Sequence, residues 1–224
     1  MSAPHATQDP VLEALRDPVL DAQPEAQLGD LDLLQRGLAW LGPEERTRGA
    51  LFAALLGVVR AWGGDAAASA LLPRRPGGGW SAAQLYPSQE FLRLMAACTD
   101  YLTEMLGSRE LALQCLGAEV AHAYLAAPGG PLTQAVAARD PGALLERLPA
   151  VLDVALGFGS HRTHALGLRH RRLQCSADPL PADFYLGLLQ RLLLEVEVDG
   201  EVHAHTRGLG DVGYDCTWQP PPPR

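Results

Sequence analysis

The densest set of side chains able to do chemistry is the run SHRTHALGLRHRR at residues 160–172, with four arginines and three histidines. Guanidinium and imidazolium groups suit a phosphate or carboxylate ligand, or an acidic partner. His161, Arg162, His164, Arg169, Arg171 and Arg172 are therefore a candidate anion or partner patch. The same composition also suits a solvated strand edge, where charge discourages sheet-to-sheet pairing. Nucleic acid is disfavoured, because the net charge is -8 and no aromatics are interleaved with the arginines.

Two further sets could hold a ligand. His203 and His205 stand two apart on an expected strand and share a face, so both could reach one zinc ion with Cys175 or Cys216 completing the set. Neither HExxH nor a paired CxxC supports that set, and no metal is expected. His122 lies on a helix that is apolar nearly all round, and a buried imidazole needs a hydrogen-bond partner or a ligand. Tyr101, His122 and Tyr124 are the candidate lining of an interior pocket. Catalytic signatures are missing: there is no GxSxG and no GxGxxG, and without a single lysine there is no Schiff base and no phosphate-loop lysine. Gly77-Gly78-Gly79 precedes Trp80 and reads as a loop. No catalytic residue is assigned, and a non-enzymatic protein is expected.

The 224 residues suffice for one domain with a substantial core. Isoleucine and asparagine are absent as well as lysine, which GC-rich coding explains. No run reaches the roughly 18 uninterrupted apolar residues of a membrane helix, and MSAPHATQDP lacks the regions of a signal peptide. A cytoplasmic protein without membrane contact is expected. The four cysteines form no CxxC, and Cys98 and Cys115, on apolar helix faces, read as small buried hydrophobes.

These residues must be positioned by helices first and strands last. Residues 1–27 carry four prolines and read as a flexible lead, 28–218 as a single α+β domain, and 219–224 as a proline-rich tail. Helices are expected from Asp30 to Leu41, from Pro43 to about Trp62 with a stop at Gly63-Gly64, and from Asp65 to Leu72. Further helices are expected from Pro87 to Gly107, from Ser108 to about Ala126, and from Pro141 to Leu156. A strand over 166–175 and a helix from Asp183 follow, then two short strands ending on Trp218. The stretch EVEVDGEVHAH admits a hairpin at Asp199-Gly200 or, preferred here, a helix running to about Val196 with Gly200 as its stop. The architecture is an N-terminal helical part followed by a C-terminal helix packed on a small antiparallel sheet.

The segments GALFAALLGVVRAWGGDAAASALL, YPSQEFLRLM, RDPGALLERLPAVLDVALGFGSHR, DFYLGLLQRLLLEVEV and YDCTW occur in that order. Over roughly residues 47–218 they resemble an uncharacterised family of bacterial proteins. More distantly, the succession is similar to the haem nitric-oxide/oxygen binding domain and the 4-vinyl reductase domain, with FYLGLL as the local match. The resemblance implies an interior cavity for a small molecule, and dimerisation. The haem-binding relatives depend on an axial histidine in the helix before the first strand and on a Tyr-x-Ser-x-Arg signature. Here 148–156 has no histidine and the signature is absent, so haem is not expected. The cysteine pattern of 4-vinyl reductase domains is missing too. The function expected is a non-enzymatic sensory or small-molecule-binding module with an interior apolar pocket, without haem or zinc. The alternative is a protein-protein interaction scaffold using the basic His/Arg patch or a dimer face.

Overall fold

The computed structural model describes residues 29–72, 79–125 and 131–219. The lead, the glycine loop at 77–78, the break at 128–130 and the tail beyond Gln219 lie outside the described residues. Helix α1 (Gly29–Trp40) is followed by a short strand β1 (Arg46–Arg48) and helix α2 (Gly49–Ala70). The helix expected from Pro43 therefore starts six residues late. Thr47 explains why: its hydroxyl donates to the carbonyl of Leu156 at 2.7 Å, which requires extended backbone there, and β1 pairs antiparallel with β2 (Leu85–Pro87). The stop expected at Gly63-Gly64 is a kink, since Gly64 takes φ 75° and the helix continues to Ala70. This helix is long and apolar enough to cross a membrane by length and composition, although Arg60 and Asp65 interrupt its apolar run, and its Leu51, Phe52, Leu55 and Val59 lie in the core.

Helices α3 (Ser88–Leu106), α4 (Arg109–Leu125), α5 (Pro131–Ala137) and α6 (Pro141–Leu156) follow. Their ends obey the expected signals. Ser108 accepts a hydrogen bond from the Leu111 amide at 3.1 Å, and Asp140 accepts one from Ala143 at 2.9 Å. Gly107 and Gly157 end α3 and α6 with φ of 75° and 67°.

The remainder is strands β3 (Ser160–Gly167) and β4 (His170–Ser176), helix α7 (Ala182–Glu195), and strands β5 (Gly200–Gly208) and β6 (Asp211–Trp218). The sheet is antiparallel throughout, in the order β3-β4-β6-β5. The single strand expected over 166–175 is thus a hairpin that turns at 168–169, because the run from Ser160 is already extended and pairs with Ser176. The preferred reading of the α7 terminus holds, with helix to Glu195 and a strand beginning at Gly200. Architecturally the chain is α+β, helices first and sheet last.

One face of the sheet, carrying Leu173, Cys175, Val202, Val212, Tyr214 and Cys216, is buried in the hydrophobic core that also takes up α7. The most extensive helix contact is between α4 and α7. Two glycines allow it. A Cβ on Gly117 would stand 1.9 Å from the Phe184 carbonyl oxygen, and one on Gly187 would stand 2.0 Å from that of Gln114. Each helix therefore lays its backbone directly on the other, and α7 is pinned against the sheet from behind.

Candidate functional site

Between α6, α7 and the sheet, the core holds a polar cluster that the sequence reading did not assemble. Strand alternation turns His161 and Thr163 inward and Arg162 and His164 outward. The His161 Nδ1 lies 2.6 Å from Asp153 Oδ1, on α6. Its Nε2 lies 2.9 Å from Asp178 Oδ2 and 2.9 Å from the Tyr185 hydroxyl. Tyr185 in turn donates to Asp178 Oδ2 at 2.5 Å.

Local backbone places each member. Asp178 sits in the β4–α7 loop, where the preceding Ala177 adopts φ 51°. Its amide donates to Gly210 O in the β5–β6 turn, and its Oδ1 accepts from the Leu180 amide at 2.9 Å. Tyr185 lies one turn before Leu188 and Leu189 on the buried face of α7, and touches Tyr214 with ring centroids 5.3 Å apart. Cys175 on β4 brings its thiol to the same point: ligand atoms of His161, Cys175 and Asp178 lie within 4.8 Å of one another. Burial sets the electrostatics. It pushes the Cys175 thiol and the Tyr185 phenol well up, and the Asp178 charge adds to both. For His161 burial pulls the imidazole down, but hydrogen bonds and charge from Asp178, then from Asp153, raise it on balance.

The residues expected to line a pocket separate. His122 is exposed on the outer side of α4, so the buried setting inferred for it is corrected: its apolar neighbours turn inward while it faces solvent. Half-buried Tyr101 rests its hydroxyl on Gly63 at the α2 kink. Tyr124 alone approaches the cluster. Its hydroxyl is buried with no hydrogen-bond partner among the described residues, and burial, then the Asp178 charge, pushes it up.

The basic patch is also not one surface. His161 is buried, a correction forced by the inward phase of β3. Arg171 turns to the α6 side and pairs with Glu146 at 3.2 Å, while Arg172 faces outward and clasps Asp215 through two 2.6 Å bonds. Arg162, His164 and Arg169 are exposed. His203 and His205 share the outer face, as their spacing required, but Cys175 and Cys216 are buried on the inner one. The zinc set considered for them is therefore split by the sheet. All four cysteines are buried and free, and burial raises the Cys98 thiol to about 12 and Cys115 to about 11, as inert hydrophobes.

Asp215 is the hub of the outer face, with Arg172, His170 Nε2 at 3.3 Å, His205 Nε2 at 2.9 Å and His203 directly opposite. Its carboxyl is held down at about 2, chiefly by the Arg172 hydrogen bonds, against the opposing effect of burial. A depressed folded-state value contributes stability above the unfolded carboxylate range, lost as pH falls through about 2. Asp215→Asn is expected to lose about 1 kcal/mol at neutral pH, solvent screening included. The difference from the parent should vanish near pH 2, as read by urea unfolding at the two pH values; an equal deficit at both would refute the assignment.

Residues 41–219 match the family model described as a protein of unknown function, DUF2378. Comparison with curated proteins gives no match. Among solved structures, an H-NOX protein from S. oneidensis in the Fe(II)NO ligation state superposes with a TM-score of 0.62 at 15% identity, over 78% of this chain and 100% of that one. The Fe(II) unliganded H-NOX protein from K. algicida gives 0.61 at 12%, over 80% and 100%. An oxygen binding H-NOX domain related to soluble guanylate cyclases, as its oxygen complex, gives 0.58 at 14%, over 78% and 96%. At these identities the likeness establishes the fold.

Proposed function

This chain belongs to the DUF2378 family of proteins of unknown function and has the H-NOX fold, and from that premise we propose that it is a non-enzymatic sensory module binding a small molecule. The observation that carries the reading is the hydroxyl of Tyr124, buried without a hydrogen-bond partner among the described residues beside a titratable network of four further groups. A buried polar atom left unpaired costs roughly 1–3 kcal/mol, and a ligand's hydrogen bond removes that cost. The leucines of α6 and α7 supply an apolar wall, and His161, Asp178 and Tyr185 a polar end, the mixture that small-molecule sites use.

Haem is the group the fold implies, and the residues present do not fit it. Helix α6 turns Leu144, Leu145, Leu148, Leu152 and Leu156 inward, each at most 1% exposed, and offers no imidazole. Among the described residues the one imidazole in this interior is His161, held at both ring nitrogens by Asp153, Asp178 and Tyr185, so a haem iron at Nε2 would have to displace Asp178 and Tyr185. The ligand proposed is therefore small, largely apolar, and equipped with one group that hydrogen-bonds a phenol.

Native mass spectrometry and an absorption spectrum of the purified full chain test this together. A non-covalent organic adduct without a Soret band is expected, and Tyr124→Phe should weaken its retention about tenfold, the equivalent of one hydrogen bond of ~1.4 kcal/mol. A chain that carries nothing and shows no thermal shift with any member of a small-molecule library would sink the reading, and a Soret band would replace it with haem binding.

A further inference from the structure

We propose that His161 Nε2, Cys175 Sγ and a carboxylate oxygen of Asp178 form a site for one divalent cation of the zinc class. The inference stands apart from the small-molecule reading, since it needs only these three side chains and their supports. All three residues are buried, and their ligand atoms lie within 4.8 Å of one another. Small side-chain adjustments close that spread onto a single ion, whose bonds to imidazole, thiolate and carboxylate run about 2.0–2.3 Å. One nitrogen, one sulfur and one oxygen make a donor set of borderline softness, which favours zinc over magnesium or calcium. The Tyr185 hydroxyl, 2.9 Å from Nε2, stands where a fourth ligand or a hydrogen bond to a bound water belongs.

Two features distinguish this cluster from an ordinary core histidine. First, Asp153 holds Nδ1 at 2.6 Å, which sets the tautomer and aims Nε2 at Asp178; a carboxylate behind the imidazole is the usual support of a zinc-binding histidine. Second, Nε2 faces two oxygens. The Tyr185 proton is committed to Asp178 Oδ2, so Nε2 meets a carboxylate oxygen and a phenol oxygen, a notch that a ring proton fills in the metal-free protein and that a metal ion can fill in its place. On binding, the ion replaces the Nε2 proton and the thiol proton, and both leave to solvent. The Asp153 side chain is half exposed, while those of His161 and Asp178 are at most 2% exposed, so the entry path runs past Asp153.

The test is titration of the full chain, stripped with a chelator, with Co2+. Saturation at one equivalent is expected, with tetrahedral visible bands and a near-ultraviolet thiolate-to-cobalt band. Cys175→Ser should abolish the thiolate band, and His161→Gln should weaken binding at least tenfold. Cys216→Ser and the pair His203→Gln/His205→Gln should change neither. Should the buried variants fail to fold, Asp153→Asn, at a half-exposed side chain, serves in their place with an expected 10–100-fold loss of affinity. The proposal is overturned by non-saturable binding, by cobalt spectra without a thiolate band, or by binding that follows Cys216 or the sheet-face histidines. An organic adduct without cobalt binding overturns this site and leaves the sensory reading intact; cobalt binding with neither an adduct nor a thermal shift from the small-molecule library does the reverse.

Discussion

Gly117→Ala is expected to destabilise the chain by about 3 kcal/mol, at the upper end of overpacking costs, lowering the melting temperature by roughly 6–12 °C for a chain of this size. The physical reason is that the added methyl would meet backbone. It would lie 1.9 Å from Phe184 O and 2.9 Å from Leu188 N, and neither atom can rotate away as a side chain would. Relief requires α4 and α7 to separate, which also draws Tyr185 off the sheet. Gly187→Ala, with the Gln114 carbonyl oxygen at 2.0 Å, should behave alike. Gly57→Ala provides the contrast, because the nearest atom to its new methyl is Glu119 Oε1 at 3.8 Å. That change removes a helix-interior glycine without a clash and should raise stability by up to about 1 kcal/mol. Thermal unfolding followed by circular dichroism separates the two outcomes. If Gly117→Ala melts with the parent, the helix crossing described above is wrong.

Asp178→Ala should cost more, about 3–5 kcal/mol, the usual consequence of removing one partner from a buried charged network. The carboxylate serves three donors, the imidazole of His161, the hydroxyl of Tyr185 and the amide of Leu180, while the backbone amide of the same residue holds the turn at Gly210. Its loss strands His161 in a setting where burial disfavours its charged form. Tyr185→Phe is the graded comparison. It removes one hydroxyl and keeps the ring packed between Phe184 and Tyr214, so about 1 kcal/mol is expected. Urea unfolding in the presence of a chelator measures both, so that the values report the protein network without any bound ion. Equal costs for the two variants would mean that Asp178 contributes packing rather than hydrogen bonding.

Helical boundaries are legible in the sequence wherever a local signal decides them. Ser108, Asp140, Gly107 and Gly157 cap or stop helices through contacts within four residues, and each acts as its type predicts. The failures occur where a distant partner decides. Residues 43–48 contain acceptable helix formers after a proline, yet Thr47 is drawn into extended backbone by Leu156, 109 residues away. The start of β3 escapes a local reading because SHRT has no apolar alternation to mark it; its inward positions are filled by His161 and Thr163, whose partners are Asp153, Asp178 and Leu145 O.

The candidate site shows the same division. Tyr185 on the leucine face of α7 is legible from its spacing to Leu188 and Leu192, and a buried phenol implies a partner. Which partner is not legible, because Asp153, His161, Cys175, Asp178 and Tyr185 come from a helix, two strands, a loop and another helix. Their meeting depends on the register of β3 on β4, where one residue of slip would turn His161 to solvent. It depends equally on the glycine crossing that sets the depth of α7.

Residue order and type by themselves determined the class of fold, most helix ends, the closing helix and hairpin, and the lack of lysine chemistry, because each is local or compositional. Tertiary structure alone decided which histidine is interior. The sequence pointed to His122, on a helix apolar nearly all round, but the exposed side of α4 falls at that residue. His161, within the most basic stretch of the chain, is buried instead, because the pleat of an edge strand turns it onto two carboxylates and a phenol. Burial is a property of the assembled faces, and no local preference of an imidazole encodes it.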